Sequence, residues 1–395
     1  MKLKLGSPVS GENFYPRPEV TSRLLRALDR DHVSFLAPRR TGKTSVLIHL
    51  EETAPEDHPH LRINLETCTS PSEMMAALMS ALSEEKPRWH QTLGKLKEST
   101  LSAIRLIDTV SIAGNEIRLA KGGDWKKPAE AFLKQLTRHA GRITFLLDEF
   151  PILVDTAAKQ DRDDCEAMLR WFREWRQRTA DSGIRFLVTG SIGLRNVVRR
   201  HNLADTVNDF DTNDLPPLSQ SDALDLIAAL AQGENIPLDE KHAEQIIQLT
   251  GNAYPYFLQI FVAEIGDHLA SHSEAELTPK TLHVIYQTRI VAGPTNQYLP
   301  HMWDRLDTVL KPDETKIAKA ILRAVAKQSE GFSSEQITEA ARASVPDSCN
   351  LDSSTLQYVI DVLKHDGYLL QDTVAPHRTR FFSHLLRDYW TRRHA

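Results

Sequence analysis

The chain has 395 residues, with 48 Lys and Arg against 53 Asp and Glu and a formal net charge of −5. This length exceeds what one hydrophobic core usually serves, so two or three domains are expected. The slightly acidic balance excludes nucleic-acid binding driven by an overall basic field and leaves only a local basic patch for it.

The cysteines and the apolar segments indicate the compartment. Cys68, Cys165 and Cys349 lie far apart and show none of the Cys and His spacings of zinc sites. The sequence has no leader pattern at its start and no apolar run of about 18 residues. We therefore expect free thiols, a cytoplasmic location and no membrane partner.

Strand-like and helix-like segments alternate in the first half of the chain. Apolar runs of strand length are HVSFLA (32–37), HLRINL (60–65), RITFLLDE (142–149) and IRFLVTGS (184–191). Segments with helical periodicity separate them. This alternation predicts an α/β core over residues 1–214 with a mostly parallel sheet. Polar and apolar residues alternate around Gly114 and Asn115, which predicts a β-hairpin excursion over about 93–125.

The second half of the chain has a different pattern. Strand-type runs stop near Leu215, and the capped helical segments that follow predict an all-α domain over 215–304. VAGPTNQYLP (291–300) is the best linker candidate. Residues 305–395 combine three helical segments, each with an Asp or Ser cap, with the stretches GYLLQD and TRFFS. This order predicts a C-terminal winged helix-turn-helix.

A glycine-containing turn, APRRTGKT (37–44), follows the first predicted strand. In the phosphate-loop motif G-x-x-x-x-G-K-[ST], backbone amides surround the phosphates, the lysine reaches the β and γ groups, and the hydroxyl coordinates Mg²⁺. Gly42, Lys43 and Thr44 complete this motif, whereas Ala37 replaces its first glycine. The alternative is an ordinary glycine loop with a solvated Lys43. The position of the turn between a buried strand and a helix N-terminus, which attracts anions, favours nucleotide binding.

Two carboxylates end the predicted strand ITFLLDEF. Asp148 at the end of a buried strand is suited to hold Mg²⁺, and Glu149 beside it is suited to polarise an attacking water. The alternative is an ordinary acidic strand end. Because the turn and the acidic pair each follow a strand, together they favour ATP hydrolysis over simple binding.

Further polar residues follow the next predicted strand. Thr189 and Ser191 are placed to touch the γ-phosphate or the attacking water. Downstream, Arg195, Arg199 and Arg200 offer an arginine finger that acts across a subunit boundary. A solvated helix face explains the same three arginines equally well, and both interpretations stay open.

In this order the motifs resemble the AAA+ superfamily, specifically the archaeal-type ATPase family of the STAND NTPases, which is similar to origin-recognition initiators. The resemblance covers nearly the whole chain. NFYPRPEV (13–20) looks like the family's entry segment near the adenine, and LTGNAYPYFLQ (249–259) resembles its helical-lid motif, in which a proline packs against the base. The resemblance implies Mg²⁺ ligands at Thr44 and Asp148 and catalytic roles for Lys43, Glu149 and Ser191. It implies ATP contacts from Arg17, Arg40, Thr41, Gly42, Lys43, Thr44, Ser45 and Pro255.

Two departures from the family pattern bear on the mechanism. Ala37, in place of the common first glycine, is expected to narrow the turn and weaken nucleotide affinity. TGNAYPYFLQ contains no arginine, so the second sensor arginine of many AAA+ motors is missing, which favours a slow switch over a processive motor.

Three functions therefore compete. The leading hypothesis is a Mg-ATP-driven conformational switch acting on an unidentified protein partner, with an ATP-dependent homo-oligomer left open. The second is an ATP-regulated DNA-binding initiator or transposition-type regulator, and the third is a scaffold that does not hydrolyse ATP. Residues 313–395 carry eleven Lys and Arg and eleven Asp and Glu, so only weak DNA contact is expected of the C-terminal segment.

Overall fold

A computed structural model describes residues 1–84, 87–104, 110–113, 116–119, 124–139, 141–272, 276–292, 299–345, 351–372 and 374–394. The chain divides into two compact units. The core unit comprises Pro16–Ala37 and Lys43–Leu215. The helical unit comprises Met1–Tyr15, Pro38–Gly42 and Pro216–Ala395.

A five-stranded parallel sheet forms the centre of the core unit. The seven strands of this unit are β1 (Val33–Leu36), β2 (His60–Asn64), β3 (Val110–Ala113), β4 (Glu116–Leu119), β5 (Ile143–Asp148), β6 (Ile184–Gly190) and β7 (Asp211–Asn213). The order in the large sheet is β2-β5-β6-β1-β7, and every neighbouring pair is parallel. The predicted α/β fold with a parallel sheet is confirmed. The edge strand β7 was not predicted, because three polar residues form no apolar run.

Helices connect these strands, as parallel pairing requires. They are α1 (Pro18–Arg30), α2 (Lys43–Glu52), α3 (Pro71–Ser83), α4 (His90–Ile104), α5 (Lys126–His139), α6 (Phe150–Gln160), α7 (Arg162–Arg178) and α8 (Leu194–Arg200). Capping side chains fix several of their starts; the Asp161 carboxylate, for example, accepts two backbone N–H groups at the first turn of α7.

Aromatic side chains of α7 cover the sheet. Trp171, Phe172 and Trp175 are all buried, and the Trp175 ring lies 4.9 Å from that of Phe186 on β6. The neighbouring arginines pair with acidic groups; Arg170, for example, contacts carboxylates of α7 and of the segment after α8. This segment therefore belongs to the core, and its aromatic residues are not available for stacking with nucleic acid.

A two-stranded antiparallel hairpin, β3–β4, stands apart from the large sheet. It is shorter than the interval 93–125 that the alternation predicted, because residues 93–104 lie in α4. Leu93, Leu96 and Thr100 are buried at helical spacing, which explains the helix. The Gly114-Asn115 turn lies outside the described residues.

The helical unit contains the remaining elements. They are α9 (Gln220–Glu234), α10 (Glu240–Thr250), α11 (Pro255–Ser271), α12 (Pro279–Ile285), α13 (Pro300–Val309), α14 (Pro312–Ala326), α15 (Ser334–Ser344), α16 (Ser353–His365), β8 (Leu369–Gln371), β9 (Thr379–Phe381) and α17 (His384–Arg393). A π-helical segment, Tyr286–Val291, continues α12. β8 and β9 pair antiparallel. Buried side chains from α9 to α17 form one continuous apolar cluster.

Local signals explain most helix starts in this unit. Ser333 and Asp352 cap α15 and α16, as the sequence predicted. The expected Asp cap of α14 was wrong, because the helix begins one residue before Asp313, at Pro312, and proline suits the first helical position. The predicted linker 291–300 falls mostly on residues 293–298, outside the described part of the chain.

Cys68 and Cys165 are buried and free, and burial raises their pKa values to about 11 and about 12. Cys349 lies outside the described residues. Among the helices of the described ranges, none is both long and apolar enough to cross a membrane.

A buried histidine makes the stability of the core unit dependent on pH. The Nδ1 atom of His32 accepts the Phe186 backbone N–H at 3.1 Å, and its Nε2 atom lies 3.0 Å from the Arg176 carbonyl oxygen. The ring is therefore neutral, with the proton on Nε2. Burial lowers the pKa of His32 to about 4, from 6.5. Below pH 6.5 His32 takes up a proton in the unfolded chain but stays neutral in the folded chain. The free energy of unfolding therefore falls as the pH falls toward 4.

We expect this residue to lower the free energy of unfolding by about 2 kcal/mol between pH 7 and 4.5. Urea denaturation at several pH values measures it. His32→Asn keeps an acceptor near Nδ1 but does not titrate, so it should be less stable at pH 7 and should depend less on pH. Equal pH dependence in the two proteins would show that His32 is not responsible.

Candidate functional site

The glycine-containing turn connects β1 to α2. Gly42 has a φ of 102°, a conformation open to glycine but strained for residues with a side chain. Arg40 also has a positive φ, of 63°. Ala37 is not among the described residues with positive φ, so a methyl group at this position strains no backbone. The replacement of the motif's first glycine is therefore compatible with the turn.

The first turn of α2 holds the basic and hydroxyl residues of the motif. Lys43 and Ser45 are buried, and the Lys43 ammonium donates a hydrogen bond to the Ala37 carbonyl oxygen. The free backbone amides of a helix N-terminus, together with the helix dipole, form a binding site for anions. The start of α2 thus combines a buried cation with an anion-binding helix end.

Asp148 ends β5 as a buried carboxylate. It makes a side-chain hydrogen bond with Thr44, whose hydroxyl donates. Burial is the main cause that raises the pKa of Asp148, and the charge of Glu149 adds to it. Oδ1 of Asp148 is buried and has no hydrogen-bond partner within the described part of the chain. An unpartnered carboxylate oxygen beside a hydroxyl is costly unless a cation or water completes it.

These two residues fit Mg²⁺. The ion prefers oxygen ligands and is usually bound by one or two carboxylates together with substrate phosphates. The Asp148 carboxylate supplies the unpartnered buried oxygen, and Thr44 supplies a hydroxyl at the start of α2. The donor set therefore supports the predicted metal ligands.

Glu149 follows Asp148 in a constrained backbone. Its φ is 57°, and it precedes the first residue of α6. Oε2 of its carboxylate accepts two hydrogen bonds from Ser191, from the backbone N–H at 2.9 Å and from the hydroxyl at 3.0 Å. A residue other than glycine persists in the left-handed region only where its surroundings fix it, and such residues cluster at functional sites.

The comparisons with known proteins bear on this arrangement. No family model matches the sequence, and no curated protein matches it. Solved structures do match it. Among them is the Walker-type ATPase PABY2304 of Pyrococcus abyssi, with a TM-score of 0.64, 13% identity and 98% of each chain covered. Another is the ORC2 protein of Aeropyrum pernix in its ADPNP-ADP complexes, with a TM-score of 0.53, 13% identity, and 97% of this chain and 95% of that one covered. The chain shares the overall fold of these two proteins. At this identity the likeness concerns the fold alone.

The core unit brings together part of the predicted site. Hydrogen bonds connect four of its residues in pairs, Thr44 with Asp148 and Ser191 with Glu149. Ser191 was predicted to contact the γ-phosphate or the attacking water, and here it donates two hydrogen bonds to the carboxylate of Glu149. Thr189, two residues earlier, has a buried hydroxyl without a hydrogen-bond partner among the described residues.

Other predicted residues belong to other elements of the fold. Arg17 precedes α1, and its carbonyl oxygen accepts the Thr21 N–H at 3.0 Å. Pro255 is the first residue of α11 in the helical unit. Arg195 donates to the Thr212 hydroxyl at 3.1 Å. The assignment of an arginine finger to one of the three arginines of α8 stays a prediction.

Arg40 and Thr41 belong to the helical unit. The Thr41 hydroxyl donates to the Pro38 carbonyl oxygen at 2.8 Å, within the turn. The Arg40 guanidinium donates to the hydroxyl of Tyr256 and lies 4.4 Å from the centroid of its ring. Sequence reasoning missed Tyr256; its only signal was its place directly after Pro255 in the lid motif.

Proposed function

We propose that this protein is a slow Mg-ATP hydrolase that works as a conformational switch on a protein partner. The observation that carries the proposal is the pairing of Thr44 with Asp148, directly before Glu149. The buried Oδ1 atom of Asp148 has no hydrogen-bond partner among the residues that the structure describes. Asp148 ends β5 and Ser191 directly follows β6, so this group lies at the carboxyl ends of parallel strands, where ligands of α/β proteins bind.

The chain's own residues divide the chemistry between them. Lys43 and the amides at the start of α2 bind the phosphates, and Thr44 and Asp148 hold Mg²⁺, which neutralises developing negative charge when bound. Glu149 accepts a proton from the attacking water, whose oxygen forms the new bond to the γ-phosphorus as the bond to ADP breaks. Ser191 orients Glu149 through the two hydrogen bonds to Oε2.

We attribute the slow rate of ATP hydrolysis to two features of the site. The carboxylate of Glu149 is already a double acceptor for Ser191, and TGNAYPYFLQ offers no arginine to stabilise charge. A switch needs no rapid turnover. A ligand that binds one state about 10⁴-fold more tightly inverts a 1:99 equilibrium.

We assign contact with the protein partner to the C-terminal segment. The order α14, α15, α16, β8, β9 suits a winged helix, and we propose three domains, an ATPase core (1–214), a helical lid (215–304) and a winged helix (305–395). The helix α16 carries Lys364 as its only basic residue other than histidine, and this ammonium donates to Gln371 at 2.8 Å. Because phosphate contacts need several Lys or Arg, this balance favours a protein partner over DNA. An ATP-dependent homo-oligomer, with a finger from Arg195, Arg199 or Arg200, remains part of the proposal.

Phosphate release by the full chain, measured with and without duplex DNA at physiological salt, tests this function. We expect slow turnover that depends on Mg²⁺ and changes less than twofold with DNA. Strong stimulation together with submicromolar, sequence-selective DNA binding would instead favour the initiator or transposition-type regulator. ATP binding without any turnover would favour the scaffold.

A further inference from the structure

The tip of the phosphate turn contacts the helix α11. Pro38–Gly42 group with that unit, whereas Ala37 before them and Lys43 after them group with the core unit. The Arg40 guanidinium donates to the Tyr256 hydroxyl and packs at 4.4 Å from the ring centroid. Tyr256 is buried in the first turn of α11.

A second contact holds the same turn from the C-terminal segment. A Cβ atom built on Gly367 would lie 2.6 Å from Cβ of Pro38, so the backbone between α16 and β8 passes directly against the start of the turn. Gly367 also has a φ of 81°. The turn is therefore fixed at Pro38 and at Arg40, on either side of Arg39.

The Tyr256 hydroxyl is a weak hydrogen-bond acceptor for the Arg40 guanidinium. A phenol hydroxyl is neutral and accepts one hydrogen bond, and the face of its ring adds a modest cation–π attraction. A phosphate group is charged and accepts paired N–H donors from the planar guanidinium, in hydrogen bonds roughly twice as strong as neutral ones. Arg40 lies three residues before Lys43, in the turn to which the proposed function assigns the phosphates.

We propose that Arg40 is a latch that exchanges Tyr256 for the nucleotide's phosphates. Without nucleotide, Arg40 holds the turn on α11; with nucleotide, the guanidinium binds phosphate and α11 is released. The latch rests on the proposed function, because it requires ATP at this turn.

The test compares Mg-ATP dissociation constants of four full-length proteins by calorimetry: wild type, Tyr256→Phe, Arg40→Ala and the double variant. Tyr256→Phe keeps the ring and removes the acceptor, so ATP no longer competes with that hydrogen bond, and we expect about threefold to tenfold tighter binding. Arg40→Ala should weaken binding about tenfold. The double variant should match Arg40→Ala, because the hydroxyl then has no arginine to hold. Arg26→Ala, which removes an exposed arginine of α1, should bind like wild type.

The outcomes separate the latch from the function on which it rests. If wild type binds no ATP, the proposed function fails. The latch is wrong if wild type binds ATP but Tyr256→Phe binds it equally or more weakly. It is also wrong if the double variant binds ATP more tightly than Arg40→Ala by the same factor that separates Tyr256→Phe from wild type. Hydrogen exchange gives a second readout: Mg-ATP should speed exchange in the first turns of α11 in wild type and leave it unchanged in Arg40→Ala. Equal responses in both proteins would contradict the exchange of partners.

Discussion

Lys43→Ala should abolish the stabilisation of the protein by Mg-ATP. A ligand at a hundredfold excess over its dissociation constant stabilises the folded state by about 2.7 kcal/mol if the unfolded chain does not bind it. Lys43 is the buried cation at the start of α2, so its removal leaves the phosphates without their charged partner. Thermal or urea denaturation with and without Mg-ATP measures the shift.

The design must separate nucleotide binding from folding. Lys43 donates to the Ala37 carbonyl oxygen, so the alanine variant also loses some stability without nucleotide. The comparison is therefore the ATP-induced shift within each variant. Lys134→Ala, which removes an exposed lysine of α5, should keep the full shift. A full shift in Lys43→Ala would place the nucleotide elsewhere.

Glu149→Gln should bind Mg-ATP and lose nearly all hydrolysis. The amide cannot accept a proton from water, and loss of a general base typically costs 10²–10⁴-fold in rate, so we expect a fall of about that size. The amide oxygen still accepts hydrogen bonds from Ser191, and Asp148 still holds the metal, so fold and affinity should be kept. Phosphate release and ATP binding, measured on the same preparation, check both parts.

Glu174→Gln is the matched control, because it makes the same change at an exposed glutamate of α7. It should hydrolyse ATP at the wild-type rate. Equal turnover by wild type and Glu149→Gln would show that another group activates the water, and the assignment of Glu149 would be abandoned.

Local patterns were sufficient to predict the centre of the core unit. β1, β2, β5 and β6 are apolar runs of strand length, and such runs between helices predict a buried parallel sheet. The turn at Gly42 and the acidic pair after β5 are local as well, because each lies where one strand ends. β7 has no such signal, since pairing with β1 and not its own composition makes it a strand.

The relations between distant residues were not predictable from the sequence. Ser191 was expected near a phosphate, and its hydrogen bonds to Glu149 depend on how β5 and β6 lie side by side. Arg40 was assigned to the nucleotide, and its contact with Tyr256 joins residues 216 apart in the chain. Periodicity and motif spacing describe neighbours along the chain, whereas such contacts are fixed by tertiary packing.

A crystal structure of Glu149→Gln grown with Mg²⁺ and ATP tests the central claim most directly. It should show the ATP phosphates against the turn from Ala37 to Thr44, and Mg²⁺ bound by Thr44 with Asp148 as a direct or water-mediated ligand. ATP bound away from this turn, or crystals without nucleotide at saturating ATP, would contradict the account.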